Sequence, residues 1–347
     1  MLVAIHKKEN EELHSTNWVN SWIESCISLN ISYEVIDVYK LKSIEETSKY
    51  DLILWYFDNY NHRDMTFSRS ILKSIEYCDV KTFPDDKTIW FYDDKISQYY
   101  LFDAIGAPIP RSWVHYDKKS ALSWAKGLIT FPVVAKLKVG SGSNNVKLLK
   151  NKSELRKYIR KMFSSGYKNV PSLVFKTISN FKSSVSFEMF KKRFKRIPEF
   201  LRTRARAKKL PREFGYVYFQ EFIDNDGFDL KVIVVNDKLS FFGREIRKGD
   251  FRASGGGNII YDEHFMNQEV IDTAFEVSDR LGLKCVGFDF VIDRDTGKSK
   301  IIEMSYNFAH ELVKKCGFYY DRKGNRFEEA LDVPLEVLKT YIKHPIE

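Results

Sequence analysis

Residues 285–306, CVGFDFVIDRDTGKSKIIEMSY, read as two alternating strands joined at Asp295-Thr296-Gly297, a three-residue hairpin loop with glycine in last place. Centred on Thr296, that hairpin sets Asp289 and Glu303 directly opposite each other on one face. Like charges so placed repel and weaken a sheet. A divalent cation between them removes the conflict, and hard carboxylate oxygens suit Mg²⁺. The alternative is a solvent-facing pair with lysine neighbours. The apolar residues flanking both carboxylates, Phe288, Phe290, Ile302 and Met304, argue instead for a packed hairpin.

A second hairpin lies at 131–151, FPVVAKLKVGSGSNNVKLLKN. VVAKLK and VKLLK are short strands, and VGSGSNN is the turn between them. Gly140, Ser141, Gly142 and Ser143 let backbone N–H groups close over an anion, while Lys136 supplies a fixed charge from the strand below. A P-loop ends in Gly-Lys-Ser/Thr, and a kinase glycine loop precedes its strand lysine, so neither pattern fits. An ordinary β-hairpin with a solvated lysine is the competing reading.

Two further stretches carry chemistry. FFGREIRKGDFRASGGGN, 241–258, follows Arg244, Arg247 and Arg252 with three glycines, a pattern suited to bidentate capture of carboxylate or phosphate oxygens. An exposed strand end with a plain glycine loop is the alternative. In YFQEFI, the backbone of Gln220, Glu221, Phe222 and Ile223 offers an edge that an adenine can pair with, as any strand end does.

Along the chain, residues 1–90 alternate strands (LVAI, YEVIDV, DLILWYF) with amphipathic helices, one presenting Val19, Trp22, Ile23 and Cys26 on one face. That alternation predicts a parallel α/β sheet. No glycine precedes Gly106, so a dinucleotide turn is excluded there, and the unit is read as a scaffold or half of a substrate cleft. A second unit, 91–214, opens with a helix that Asp93 or Asp94 can cap and Gly106 can end. A third, 215–347, is strand-rich and includes a helix over 269–281.

With 44% hydrophobic and 15% aromatic residues the chain is globular. The charged N-terminus argues against a signal peptide, and no apolar run is long enough to span a bilayer. Cys26, Cys78, Cys285 and Cys316 have no CxxC spacing and read as reduced thiols in a cytoplasmic protein. The net charge of +9 is concentrated in one place. Lys176 to Arg212 holds 13 basic against two acidic residues, leaving 43 basic against 45 acidic elsewhere.

In order, these pieces resemble the ATP-grasp superfamily, and within it the RimK-type carboxylate–amine ligases. The resemblance covers about residues 90–315 and rests on DDKISQYYLFDAIGAPIP, VVAKLKVGSGSNNV, YFQEFI, FDLKVIVV, REIRKGDFRASGGG, GFDFV and IIEMS. It implies an α/β protein in which two α+β subdomains clasp ATP, preceded by a small Rossmann-like domain. It also implies that Lys95 and Lys136 are nucleotide lysines and that the hairpin is a flap over the phosphates. Asp229, Lys231, Arg244 and Arg252 would face phosphate or substrate. Asp289 and Glu303 would hold Mg²⁺, two ions in the usual arrangement, with Mn²⁺ as a substitute. The family places Asn two residues after the glutamate; here that position is Ser305, and Asn307 takes over if the backbone bends. The implied reaction is phosphorylation of a carboxylate by ATP, followed by attack of an amine on the acyl phosphate. Lys136, Lys231, Arg244 and Arg252 are the candidates for stabilising the transferred group.

EMSYNF and GFYYDRKGNRFEE are closer to the ATP-grasp proteins of bacterial surface polysaccharides. That likeness implies a uronic-acid-type or glycan-linked carboxylate and an amino acid as the amine. SFEMFKKRFKRIPEFLRTRARAKKLPREF interleaves aromatic with basic residues. It reads as an amphipathic insertion with a solvated face, or as a contact with an anionic lipid carrier, the inner membrane surface or an acidic glycan. No nucleic-acid recognition motif accompanies the charge. The alternatives are a ligase that extends a peptide or protein, and a nucleotide-binding protein without chemistry that holds an anionic polymer.

Overall fold

The structure, a computed structural model, describes residues 1–7, 18–59, 61–128, 130–140, 145–168, 212–246, 251 and 258–342. The first unit comprises β1 (Leu2–His6), α1 (Trp18–Ser28), β2 (Ser32–Ile36), β3 (Leu52–Leu54), α2 (His62–Glu76), β4 (Lys81–Phe83) and α3 (Asp86–Ile89). Its four strands run parallel in the order β2-β1-β3-β4, as the strand–helix alternation predicts. Only β4 has no clear signal in the sequence, because Lys81, Thr82 and Phe83 form no apolar run. The buried side chains of α1 are Trp18, Trp22, Ser25 and Cys26, so the face is centred on the tryptophans and leaves Val19 and Ile23 half-buried at its margin.

The second group comprises α4 (Lys95–Ala104), β5 (Ser112–His115), α5 (Lys118–Gly127), β6 (Val133–Lys136), β7 (Val146–Leu149), α6 (Lys152–Met162), β8 (Tyr167–Lys168), β9 (Arg212–Glu213) and β10 (Val217–Glu221). The expected hairpin is present, with β6 and β7 antiparallel in a sheet ordered β5-β10-β6-β7. Helices α5 and α6 cover one face, and Trp124, Phe219 and Tyr158 form an aromatic stack beneath it. Asp94 caps α4 by accepting from the N–H groups of Ile96 and Ser97, and Gly106, at φ +64°, ends it in the left-handed region. Ser141, Gly142 and Ser143, Arg247 and Arg252, and the basic segment as far as Pro211 lie outside the described residues.

The third group contains β11 (Phe228–Val235), β12 (Lys238–Glu245), β13 (Ile259–Ile260), α7 (Gln268–Leu281), β14 (Cys285–Ile292), β15 (Ser299–Ser305), α8 (His310–Lys314), β16 (Tyr319–Tyr320), β17 (Arg326–Phe327) and α9 (Val333–Ile342). Its sheet runs β15-β14-β11-β12-β16-β17, with β13 added to β12. Period-two alternation splits β11 cleanly. Leu230, Val232 and Val234 pack beneath α7 with Phe288 and Phe290 of β14. On the opposite face Ile233 and Val235 join the core of the first unit, together with Cys285 and α9. Further along that same face the side chains become Asp229 and Lys231. One sheet face is therefore apolar where the first unit covers it and charged where it opens beneath the β5-β10-β6-β7 sheet.

No helix among the described residues is long and apolar enough to cross a membrane. The four cysteines are free; Cys26, Cys285 and Cys316 are buried and Cys78 half-buried.

Candidate active site

Asp289 and Glu303 pair across β14 and β15, as the sequence predicts, but not for the predicted reason. The strands end at Ile292 and Ser299, so the connection is longer than the expected three-residue loop. Near the turn, Ile292 faces Ser299 and Phe290 faces Ile301. Continued unbroken, that register would put Asp289 opposite Ile302 and turn Glu303 to the other face of the sheet. A β-bulge intervenes at Ile302, and beyond it Asp289 faces Glu303. Ile301 and Met304 both lie in the core under α7, three positions apart, as only an extra residue between them allows.

The bulge also turns the Ile302 carbonyl toward the cleft, where it accepts from Lys136 Nζ at 3.2 Å. Lys136 is buried, and burial pushes its pKa down to about 8, with Lys95 adding to the depression and Glu303 opposing it. Lys95 shows the reverse balance. It is 4% exposed, its Nζ donates to Gly140 O at 2.8 Å, and it sits 3.0 Å from Glu303 Oε1. Burial alone would lower its pKa, but Glu303 and Asp93 outweigh it and hold it above the ordinary value. Lys95 is thus part of the site and not a solvated lysine at a helix start.

Asp93, beside it, completes the attachment of the flap. It accepts from Gly140 N at 2.9 Å at a backbone φ of +49°. Burial lifts its carboxyl to about 6 against the pull of Lys95. Sequence reasoning offered Asp93 only as a possible helix cap; the doubled aspartate before Lys95 was the available signal.

On the sheet floor, Lys231 Nζ donates to Gly287 O at 3.0 Å and stands 2.8 Å from Asp289 Oδ1. Arg244 binds Asp229 through two nitrogens at 2.6 and 2.8 Å and reaches Asp289 Oδ2 at 3.0 Å. Burial would raise the Asp289 carboxyl, but Arg244 and Lys231 hold it down at about 2. Asp229, where burial dominates over Arg244, is lifted to about 6. The cleft above is walled by Val134, Lys136, Gln220, Phe222, Asp289 and Glu303, with Glu221 and Ile223 on the same rim. The expected adenine edge and the phosphate lysine thus line one cleft with the carboxylates.

The two carboxylates suit a hard cation. They face one another, and Asp289 Oδ1 is buried with the Lys231 ammonium 2.8 Å away as its charge partner. No group of three or more Asp, Glu, His or Cys arranged to hold a metal occurs among the described residues. Asn307, expected to come round as a third ligand, points elsewhere. Its N–H donates to Ser305 Oγ, and the turn this makes delivers its carboxamide to the first unit. There Nδ2 lies 2.5 Å from Phe57 O and 2.8 Å from Tyr92 OH, while Oδ1 accepts from Tyr56 OH. The Ser305 hydroxyl is likewise engaged with the Asn307 backbone, donating to its carbonyl at 3.1 Å.

The RimK-like ATP-grasp domain family matches residues 206–318, which include β11 to β15 and both carboxylates. Alpha-aminoadipate–LysW ligase LysX of Saccharolobus solfataricus is 20% identical over 271 residues, 77% of this chain and 81% of the relative. The D-cycloserine synthetase DcsG has the same fold, with a TM-score of 0.60 at 13% identity over 98% of each chain. So does the ATP-grasp ligase PsnB, solved with a minimal precursor, with a TM-score of 0.57 at 15% identity and 98% coverage of both chains. Residues 206–318 thus match a RimK-like ATP-grasp domain, and the chain as a whole shares the fold of ATP-grasp ligases.

Proposed function

We propose that the protein is an ATP-dependent carboxylate–amine ligase that forms an amide through an acyl phosphate. The observation that carries this reading is the convergence of Lys95, Lys136, Lys231 and Arg244 around one facing pair of carboxylates. Mg²⁺ held by Asp289 and Glu303 would neutralise charge across the ATP phosphates. Lys136, the least paired of the four cations, is placed to receive the phosphates beneath the flap, and Lys95 ties the flap backbone to the carboxylate floor. Lys231 and Arg244 supply positive charge where a substrate carboxylate is phosphorylated. Such chemistry depends on positioning and charge neutralisation more than on an acid–base residue.

Within that class, the +11 segment at 176–212 favours an anionic acceptor, and we read the acid as a uronic-acid-type or glycan-linked carboxylate joined to an amino acid. The same segment would hold an anionic lipid carrier or the inner face of a membrane. A second reading, ligation to a peptide or protein, is favoured by two of the similar proteins: LysX is a ligase of LysW, and PsnB was solved with its precursor. The test is ADP release from Mg·ATP with pooled uronic acids, sugar nucleotides and peptides, with and without pooled amino acids. Release that needs both an acid and an amine, and that Glu303→Gln abolishes, supports the ligase. Product analysis then separates a glycan amide from a lengthened peptide. Tight nucleotide binding with no release under any pool would favour a binding protein without chemistry.

A further inference from the structure

We propose that Gln98 is a positioning residue whose side chain fixes Glu303 on the cleft face of the sheet. The inference rests on the reading of Glu303 as a metal ligand. β15 is the outermost strand of its sheet, so every second backbone N–H and C=O along its free edge lacks a strand partner. Gln98, on α4 and 2% exposed, fills that gap at one residue: Nε2 donates to Met304 O at 2.9 Å, and Oε1 accepts from Met304 N at 3.1 Å. The carboxamide thus pairs with Met304 as a neighbouring strand would. Its Nε2 also reaches Phe91 O at 3.2 Å, which orients the amide.

The location matters more than the number of bonds. Met304 follows Glu303, which follows the bulged Ile302. A bulge leaves two registers available, and the one without it turns Glu303 to the opposite face. Ile301 N donates to Pro108 O at 2.8 Å on the near side of the bulge, and Gln98 holds Met304 on the far side. One turn earlier on α4, Lys95 takes the Glu303 carboxylate itself. The helix therefore grips the strand twice, by backbone through Gln98 and by side chain through Lys95. Because the start of α4 and the two residues before it also make the flap contacts of Asp93, Asp94 and Lys95, the carboxylate and the flap share one support.

The test is Mn²⁺ binding, followed by electron paramagnetic resonance on the full chain with a non-hydrolysable ATP analogue. Gln98→Met keeps the length of the side chain and removes both bonds to Met304. It should weaken Mn²⁺ binding at least about tenfold, the loss typical of outer-shell changes at metal sites, with metal-free binding of the analogue within about twofold. Deleting Ile302 places Glu303 opposite Asp289 in an unbroken register. In that background Gln98→Met should cost less than about twofold in Mn²⁺ affinity. Unchanged Mn²⁺ affinity in Gln98→Met, or an equal loss in both backgrounds, overturns the proposal. Should Gln98→Met not fold, Gln98→Glu retains the acceptor for Met304 N and should show an intermediate loss; wild-type affinity there overturns it equally. Glu303→Gln is the control for the underlying reading. If Glu303→Gln leaves Mn²⁺ affinity unchanged, the assignment of the metal ligand fails, whatever Gln98 does.

Discussion

Lys231 reaches Asp289 by crossing the sheet directly over Gly287. A Cβ at position 287 would stand 2.9 Å from Lys231 Cε and 2.9 Å from Cδ1 of Phe308, distances at which something must move. The Phe308 ring is buried against Trp18, so the lysine is the group that gives way. Pushed aside, its ammonium loses both Gly287 O and Asp289.

Gly287→Ala is therefore expected to destabilise the protein by about 1–3 kcal/mol, the usual cost of overpacking. It should also lower ADP release, since the displaced charge belongs to the site. Thermal unfolding and a coupled ADP assay check both. A variant with wild-type melting temperature and turnover would show that Lys231 is free to lie elsewhere.

The depressed pKa of Lys136 predicts a pH dependence for nucleotide binding. Only the ammonium attracts phosphates, and in the free protein it is half neutral at about pH 8. The apparent Kd for Mg·ATP should be flat below that pH and rise above it, by at most about tenfold per pH unit. Stability moves in the opposite sense. Between about 8 and the unfolded value of 10.5 the unfolded chain binds the extra proton, so the burial penalty is complete below pH 8 and is relieved as pH rises. Lys136→Arg, which stays charged, should remove the inflection in Kd. An inflection that survives in that variant would assign it to another group.

How much of this was legible in the sequence differs from residue to residue. The parallel first sheet, the β6–β7 hairpin and the long strands of the third sheet follow from periodicity, which is local. The pairing of Asp289 with Glu303 was found by counting from a turn that the chain does not make, and the bulge at Ile302 cancelled the error. A bulge is stabilised by distant partners, here Lys136, Pro108 and Gln98, and no local pattern records them. The burial of Lys95 is likewise a tertiary fact. So is the diversion of Asn307, whose partners lie 215 to 251 residues earlier in the chain.

Asn307 is accordingly expected to behave as a latch between the first unit and the end of β15. Asn307→Ala removes the bonds that its carboxamide makes to Phe57 O and to the Tyr56 and Tyr92 hydroxyls, and should cost about 1–3 kcal/mol in stability. Mn²⁺ affinity with a bound ATP analogue should stay within about threefold of wild type. A ligand to the metal would instead lose at least about tenfold on removal. Calorimetric unfolding and metal titration on one preparation separate the two roles.

The basic segment can be tested without reference to its conformation. Exchanging Lys191, Lys192, Arg193, Lys195 and Arg196 for glutamate reverses the sign of its most concentrated run. If the segment gathers an anionic acceptor, KM for that acceptor should rise by about tenfold or more at low ionic strength. The Kd for Mg·ATP should not move, because the exchange leaves Lys136, Gln220, Asp289 and Glu303 of the cleft in place. Salt gives an internal control. The screening length falls from about 10 Å at 0.1 M to about 3 Å at 1 M, so wild type and variant should converge as salt is added. An acceptor KM unaffected by the reversal at every salt concentration would leave the segment a solvated surface and remove the argument for an anionic substrate.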